Sequence, residues 1–150
     1  MSTKLDDKDM KIIELLKEHG DYTTRQIAKK TLLPVTTVHN RINKLRKDGI
    51  IKKFTVDLDY DKLKKNFVAY VLVSVNLEML KQKKKTQYDL MHDIKKLYFV
   101  ERVDIVTGGT DMIVVMRVED VTEFDHCLLT KLQLIEGIDR TQSLIVIHSR

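Results

Sequence analysis

The chain has one cysteine, one proline, five glycines and no tryptophan in 150 residues. A single thiol, Cys127, cannot close an internal disulfide, so packing alone must hold the fold and a reducing compartment is expected. By composition that cysteine reads as a small buried side chain rather than a sensor. No run reaches the ~18 to 20 apolar residues of a membrane span, and the first ten residues are charged where a signal peptide would be apolar. A cytoplasmic protein with no membrane partner is the expectation. Also missing are a phosphate-binding glycine loop, a nucleophile elbow, a CxxC pair and an HExxH helix. The five histidines (19, 39, 92, 126 and 148) fall at no metal-ligand spacing. No catalytic residue, metal site or cofactor is expected, and the chain does not read as an enzyme.

Acid is scarce in one place only. The whole chain carries 27 Lys and Arg against 22 Asp and Glu, a net charge of +5. Between Thr24 and Thr55, nine cations (25, 29, 30, 41, 44, 46, 47, 52 and 53) face one acid, Asp48. Residues 60–150 are close to balanced, with 14 cations and 13 acids. Binding to a phosphate backbone needs such local concentration, because each neutralised phosphate releases counterions.

The basic stretch has an internal grammar. Thr23 followed by Gln26 forms a capping box, opening a short helix through Ile27 and Lys30. Pro34 pushes Leu33 out of the helical region and suits the first turn of a second helix. Val35, Val38, Ile42 and Leu45 then fall on one face, and Gly49 stops the helix. The opposite face displays Thr36, Thr37, His39, Asn40, Arg41, Asn43, Lys44 and Lys47 and has no carboxylate before Asp48. This is the composition of a helix-turn-helix recognition helix in a DNA major groove. Thr36, Thr37, His39, Asn40, Asn43 and Lys44 are candidates for base edges or adjacent phosphate. Arg25, Arg41, Lys52 and Lys53 are candidates for the DNA backbone, with Arg41 equally suited to bridging helices. Asn pairs with adenine and threonine methyls meet thymine methyls, so A·T-rich sites are expected. Ahead of this, Asp6 caps a first helix whose Met10, Ile13 and Leu16, with Ile12 beside them, face the other two. Ile51–Thr55 reads as a wing strand.

Beyond the polar linker 57–65 the rhythm changes. Phe67–Leu77 is a nearly continuous apolar strand. Glu78–Leu97 reads as one amphipathic helix with Tyr88, Met91, Ile94 and Leu97 at three-residue steps. Val100–Thr107 and Met112–Val118 are strands about a Gly108-Gly109 turn. Val121–Leu132 is a helix with Phe124, Leu128 and Leu132 inward, and Thr141–Ser149 is a last strand. The order β-α-β-β-α-β is that of a ferredoxin-like fold. The expected class is therefore α+β, with a winged helix-turn-helix domain over 1–56, a linker over 57–65 and a ferredoxin-like domain over 66–150.

The run D-x-x-D-x-x-I-I-x-L-L from Asp6, then R-Q-I-A and T-V-H-N-R-I-N-K-L-R-K-D-G-I-I-K-K-F, closely resembles the Lrp/AsnC regulators. V-T-G-G-T-D-M and I-E-G-I resemble that family's V-x-T-G-x-x-D and P-G-V segments, with Glu136 in place of the common proline and Gly109-Thr110 in place of an acidic-aromatic pair. The resemblance covers essentially the whole chain. It implies a DNA-binding transcriptional regulator whose ferredoxin-like, RAM-type domain senses a small molecule, dimerises through its sheet and assembles dimers to octamers. It points to an effector site at Gly108, Gly109, Thr110 and Asp111 with Glu101, Arg102, Thr141 and Ser143 facing it. A carboxylate for an ammonium and backbone N–H groups for a carboxylate suit a free amino acid there; the alternative for the loop is a plain hairpin turn. One recognition helix is a small footprint, so a homodimer on a pseudo-palindromic operator of double-stranded DNA is expected. Two other functions remain open at this level: a sirohaem decarboxylase of the same two-domain plan, and an effector-independent architectural DNA-binding protein.

Overall fold

A computed structural model describes residues 4–148. The chain divides into two compact units, Met1–Leu58 and Asp59–Arg150. The N-terminal unit is three helices: α1 (Asp7–Glu18), α2 (Thr24–Thr31) and α3 (Val35–Lys47). Their starts are written locally. Asp6 accepts from Asp9 N–H and Asp9 answers on the Asp6 N–H; Thr23 and Gln26 do the same at α2, so two capping boxes satisfy the exposed donors of two helix ends. Leu32 takes a left-handed conformation at the turn into α3, with φ 58°.

A small core joins the three helices: Ile12, Ile27, Ala28, Val38 and Leu45. The stripe on α1 is rotated from the expected one, since Ile12 is fully buried whereas Met10 is largely exposed. Val35 likewise leaves the α3 stripe and stands out from the core. The expected wing strand at Ile51–Thr55 is not formed. That segment takes no regular secondary structure, and the next stretch of chain, Asp59–Lys64, folds into a tight turn rather than a returning strand. Phe54 is half-exposed, with the Arg46 guanidinium 5.9 Å from its ring centre.

The C-terminal unit holds one antiparallel sheet, β1 (Phe67–Val75), β2 (Val100–Ile105), β3 (Met112–Val118) and β4 (Ile138–Ile145), in the order β2-β3-β1-β4. With α4 (Leu77–Gln82) and α5 (Gln87–Lys95) between β1 and β2, and α6 (Val121–Cys127) between β3 and β4, this is the ferredoxin-like order. The single expected helix over 78–97 is two. Lys84 turns left-handed at φ 54°, and Thr86 with Asp89 forms a new capping box. The lysine run ends one helix and the Thr-x-x-Asp starts the next, so Leu90 and Ile94 are buried and Tyr88 is exposed. α6 runs on into one π-helical turn, Leu128–Leu132, where Gln133 N–H reaches the Leu128 carbonyl at 2.9 Å. β4 begins three residues before the expected Thr141.

Alternation on β1 decides the layering. Ala69, Val71 and Val73 are fully buried and, with Met112, Val114 and Met116, pack against Leu90, Ile94, Phe124 and Leu132 from the helices. Tyr70, Leu72, Val115 and Leu144 on the other face lie outside that core cluster, and Tyr70 and Leu144 are exposed. Gly137 suits its φ of 104°, and a Cβ there would sit 2.5 Å from the end of the Leu80 side chain, which would have to move.

Candidate nucleic-acid interface and effector cavity

α3 is held in place by its own arginine. Arg41 Nη1 donates to Asp9 Oδ1 at 2.7 Å and to Asp6 at 2.8 Å, tying the middle of α3 to the start of α1. Asp9 is the one buried charged side chain among the described residues, so this pairing is what makes its burial tolerable. Asp6 is held below the usual carboxylate range, first by the Asp9 backbone N–H it accepts and then by Arg41. The guanidinium is raised in turn by Asp9 and Asp6. Of its two anticipated roles, Arg41 therefore has the geometry of the helix bridge, and its charge is not left over for a DNA phosphate.

With the buried stripe fixed by Val38 and Leu45, the helical period turns Thr36, Asn40, Asn43 and Lys47 directly outward. His39 flanks them on one edge, Thr37 and Lys44 on the other. The Asn43 amide nitrogen donates to His39 Nε2 at 2.9 Å, one helical turn apart, which orients both side chains. Thr37, Asn40 and Lys44 also line a shallow cavity of ≈ 400 Å³ with Lys4, Asp6, Asp9 and Arg41. Arg25 on α2 and Lys52 and Lys53 in the segment after α3 are exposed. No acid lies on α3 itself, and the two carboxylates packed against its middle are both ion-paired to Arg41. A hydrogen-bonding helix face with cations and no acid of its own can approach a phosphate-lined groove.

In the C-terminal unit the anticipated effector residues separate into two groups. Gly109, Thr110 and Thr141 line a cavity of ≈ 400 Å³ on the open sheet face with Leu72, Ser74, Arg140 and Gln142. Glu101 and Arg102 line a different cavity of ≈ 330 Å³ with Val68, Tyr70, Val115, Arg117 and Val146. The reason is strand direction. Both residues stand at the start of β2, whereas the Gly108–Asp111 loop leaves its end, about 13 Å away at 3.3 Å per residue. Both are also ion-paired: Arg117 Nε to Glu101 at 2.8 Å and Arg102 Nε to Asp104 at 2.7 Å. Ser143 pairs with buried Val71 and so belongs to the helix-covered side of β4, away from the cavity.

The loop is more than a hairpin turn. Asp111 Oδ2 accepts from Val75 N–H at 2.8 Å, Asp111 N–H donates to the Val73 carbonyl at 3.0 Å, and the Thr110 hydroxyl donates to the same carbonyl at 2.9 Å. These bonds fasten the loop to the end of β1. One oxygen of the Asp111 carboxylate is engaged in them. The Thr141 hydroxyl accepts from Gln133 Nε2 at 2.7 Å. Arg140 and Gln142 were not anticipated; they were readable only as the residues that alternate with Thr141 once the β4 register is known. Cys127 is fully buried with Tyr98 Oη 3.3 Å from its sulfur. Among the described residues no metal-binding cluster occurs and no helix is long and apolar enough to cross a membrane.

Comparison with known proteins adds to this geometry. The winged helix-turn-helix DNA-binding family model matches residues 5–52, and that of the Lrp/AsnC ligand binding domain matches residues 69–150. The HTH-type transcriptional regulator FL11 of Pyrococcus furiosus is 35% identical over 145 residues, covering 95% of this chain and 89% of that protein. Its namesake in Pyrococcus horikoshii is 33% identical over 150 residues, covering 99% and 93%. Among solved structures, a transcriptional regulator of Neisseria meningitidis in complex with L-Met superposes with a TM-score of 0.86 at 24% identity, covering 97% of this chain and 91% of that one. AsnC of Escherichia coli superposes at 0.83 with 21% identity, covering 97% and 94%. At such identities the superpositions speak for the fold.

Proposed function

The chain belongs to the Lrp/AsnC family of helix-turn-helix transcriptional regulators, and from that premise we propose how its residues do the work. α3 docks its outward face in the major groove: Thr36, Asn40 and Asn43 reach base edges, His39 orients Asn43, and Thr37 and Lys44 reach adjacent phosphate. Arg25, Lys52 and Lys53 contact the flanking backbone, and Arg41 sets the angle of α3 against α1. The observation that carries this reading is the acid-free outer surface of α3, with the two carboxylates packed against its middle held by Arg41.

One such helix covers too few base pairs for a unique address, so the working unit is a homodimer on a pseudo-palindromic duplex. The open sheet face supports sheet-mediated pairing. Tyr70 and Leu144, partners across β1 and β4, are 41% and 49% exposed there and stand outside the helix-packed core. Assembly of dimers to an octamer follows the family resemblance.

The effector is a free amino acid, taken in the cavity of Gly109, Thr110, Arg140 and Gln142. Arg140 supplies the cation for its carboxylate, and Ser74, Gln142 and the strand-end carbonyls supply acceptors for its ammonium. Such a ligand changes transcription only through a difference in its affinity for two assemblies. That the relative bound to L-Met in a solved structure shares this fold supports the class of ligand. Site selection from random duplexes with the purified full-length chain, at stated salt, tests the DNA reading. Calorimetry against the twenty amino acids, with Arg140→Ala as control, tests the effector.

A further inference from the structure

Val35 is the first residue of α3 and by spacing belongs to the stripe that continues through Val38, Ile42 and Leu45. Folding breaks that stripe. Val38 is fully buried, while Val35 stays 45% exposed and is not among the side chains packed on the N-terminal core. At about 100° per residue, Val35 falls about 60° to one side of Val38, while Ile42 and Leu45 straddle it. The displacement carries Val35 to the edge where His39 and Asn43 follow at four-residue steps, the pair joined at 2.9 Å. A branched apolar side chain thus stands in line with two hydrogen-bonding groups.

Its place along the helix matters equally. Recognition helices touch base edges with their N-terminal residues, and Val35 is at that end, next to exposed Thr36. It has no donor or acceptor to offer. The one apolar group a major groove presents is the thymine 5-methyl. We propose that Val35 is a specificity-determining residue that reads one thymine in each half-site by packing its methyls on that 5-methyl, and so rejects cytosine at the same position. This rests on α3 being the helix that enters the groove.

The test begins with the duplex selected by the full-length chain. Each thymine is replaced in turn by uracil, which deletes only the methyl, and affinities are measured for the wild type and Val35→Ala. The substitution lies on an exposed helical position, where alanine is the better helix former, so folding is preserved. The expected result is one position per half-site where uracil costs the wild type about fourfold, the worth of burying one methyl, and costs Val35→Ala nothing. A wild type indifferent to every methyl, or equal losses in both proteins at every position, overturns the inference while leaving the DNA reading intact. Failure to select any duplex overturns both.

Discussion

The two units of this chain solve opposite problems. Among the described residues, the C-terminal unit has fifteen buried apolar side chains in one cluster, the N-terminal unit five. The larger unit uses its charges on itself: Lys85 and Lys96 hold Asp93, Arg117 holds Glu101, and Arg102 holds Asp104. The smaller unit pairs Arg41 and leaves Lys44, Arg25, Lys52 and Lys53 facing solvent. A domain of about 60 residues has little core to spare. Its rigidity therefore comes from caps and the two ion pairs of Arg41, and cations such as Lys44, Lys52 and Lys53 are available to a polyanion.

Removing one core side chain from each unit is the strongest way to break this contrast. Ile27→Ala and Ile94→Ala each delete a fully buried isoleucine and should each cost about 3 kcal/mol. Hydrogen exchange resolved by unit should show the first unfolding residues 5–52 and the second leaving its sheet protected. Equal losses of protection would contradict the asymmetry of the two cores.

Next in size is the Arg41 bridge. Arg41→Met leaves Asp9 buried without its partner, and both the denaturation midpoint of the N-terminal unit and specific DNA binding should fall together. The acid limb isolates Asp6. Its carboxyl is depressed in the folded state, so its contribution is full above the unfolded value of 3.8 and is lost as pH falls through the lower folded value. The stability difference between wild type and Asp6→Asn should be present at pH 7 and vanish in strong acid. A difference that persists unchanged there would remove the ionised carboxylate from the account.

Salt dependence sharpens the charge side of the comparison. Lys44→Ala should lower the slope of log affinity against log salt by about one phosphate contact, whereas Arg102→Ala, already ion-paired to Asp104, should leave it unchanged. The smallest effect is at Leu32. It is 90% exposed and left-handed at φ 58°. Leu32→Asn places there a residue that tolerates this conformation and should raise stability by about 0.5 kcal/mol, read from thermal unfolding.

The part of the fold readable from residues alone tracks the range of the interactions. Capping boxes at Thr23 and Pro34-bounded α3 are local, and their chemistry is complete within four residues. The sheet order followed from chain rhythm and the short turn at Gly108. The wing strand failed because Ile51–Thr55 has strand-forming residues and no partner strand, and a strand is made by its neighbour. The helix over 78–97 failed because apolar spacing continued through a lysine run that Thr86 and Asp89 reorganise. The outward face of α3 was legible because one well-formed helix carries all of it. The cavity proposed for the effector was not, because β2 and β4 lie at opposite edges of the sheet and only the register reveals that Arg140 and Gln142 sit beside Gly109 while Glu101 does not.

The central claim is that the acid-free surface of α3 reads duplex DNA by sequence. Competition binding of the full-length chain, with a selected duplex against random DNA across a salt series, tests it most directly. A preference of at least about a thousandfold at physiological salt is predicted. Equal affinity for selected and random duplexes at every salt concentration would contradict it.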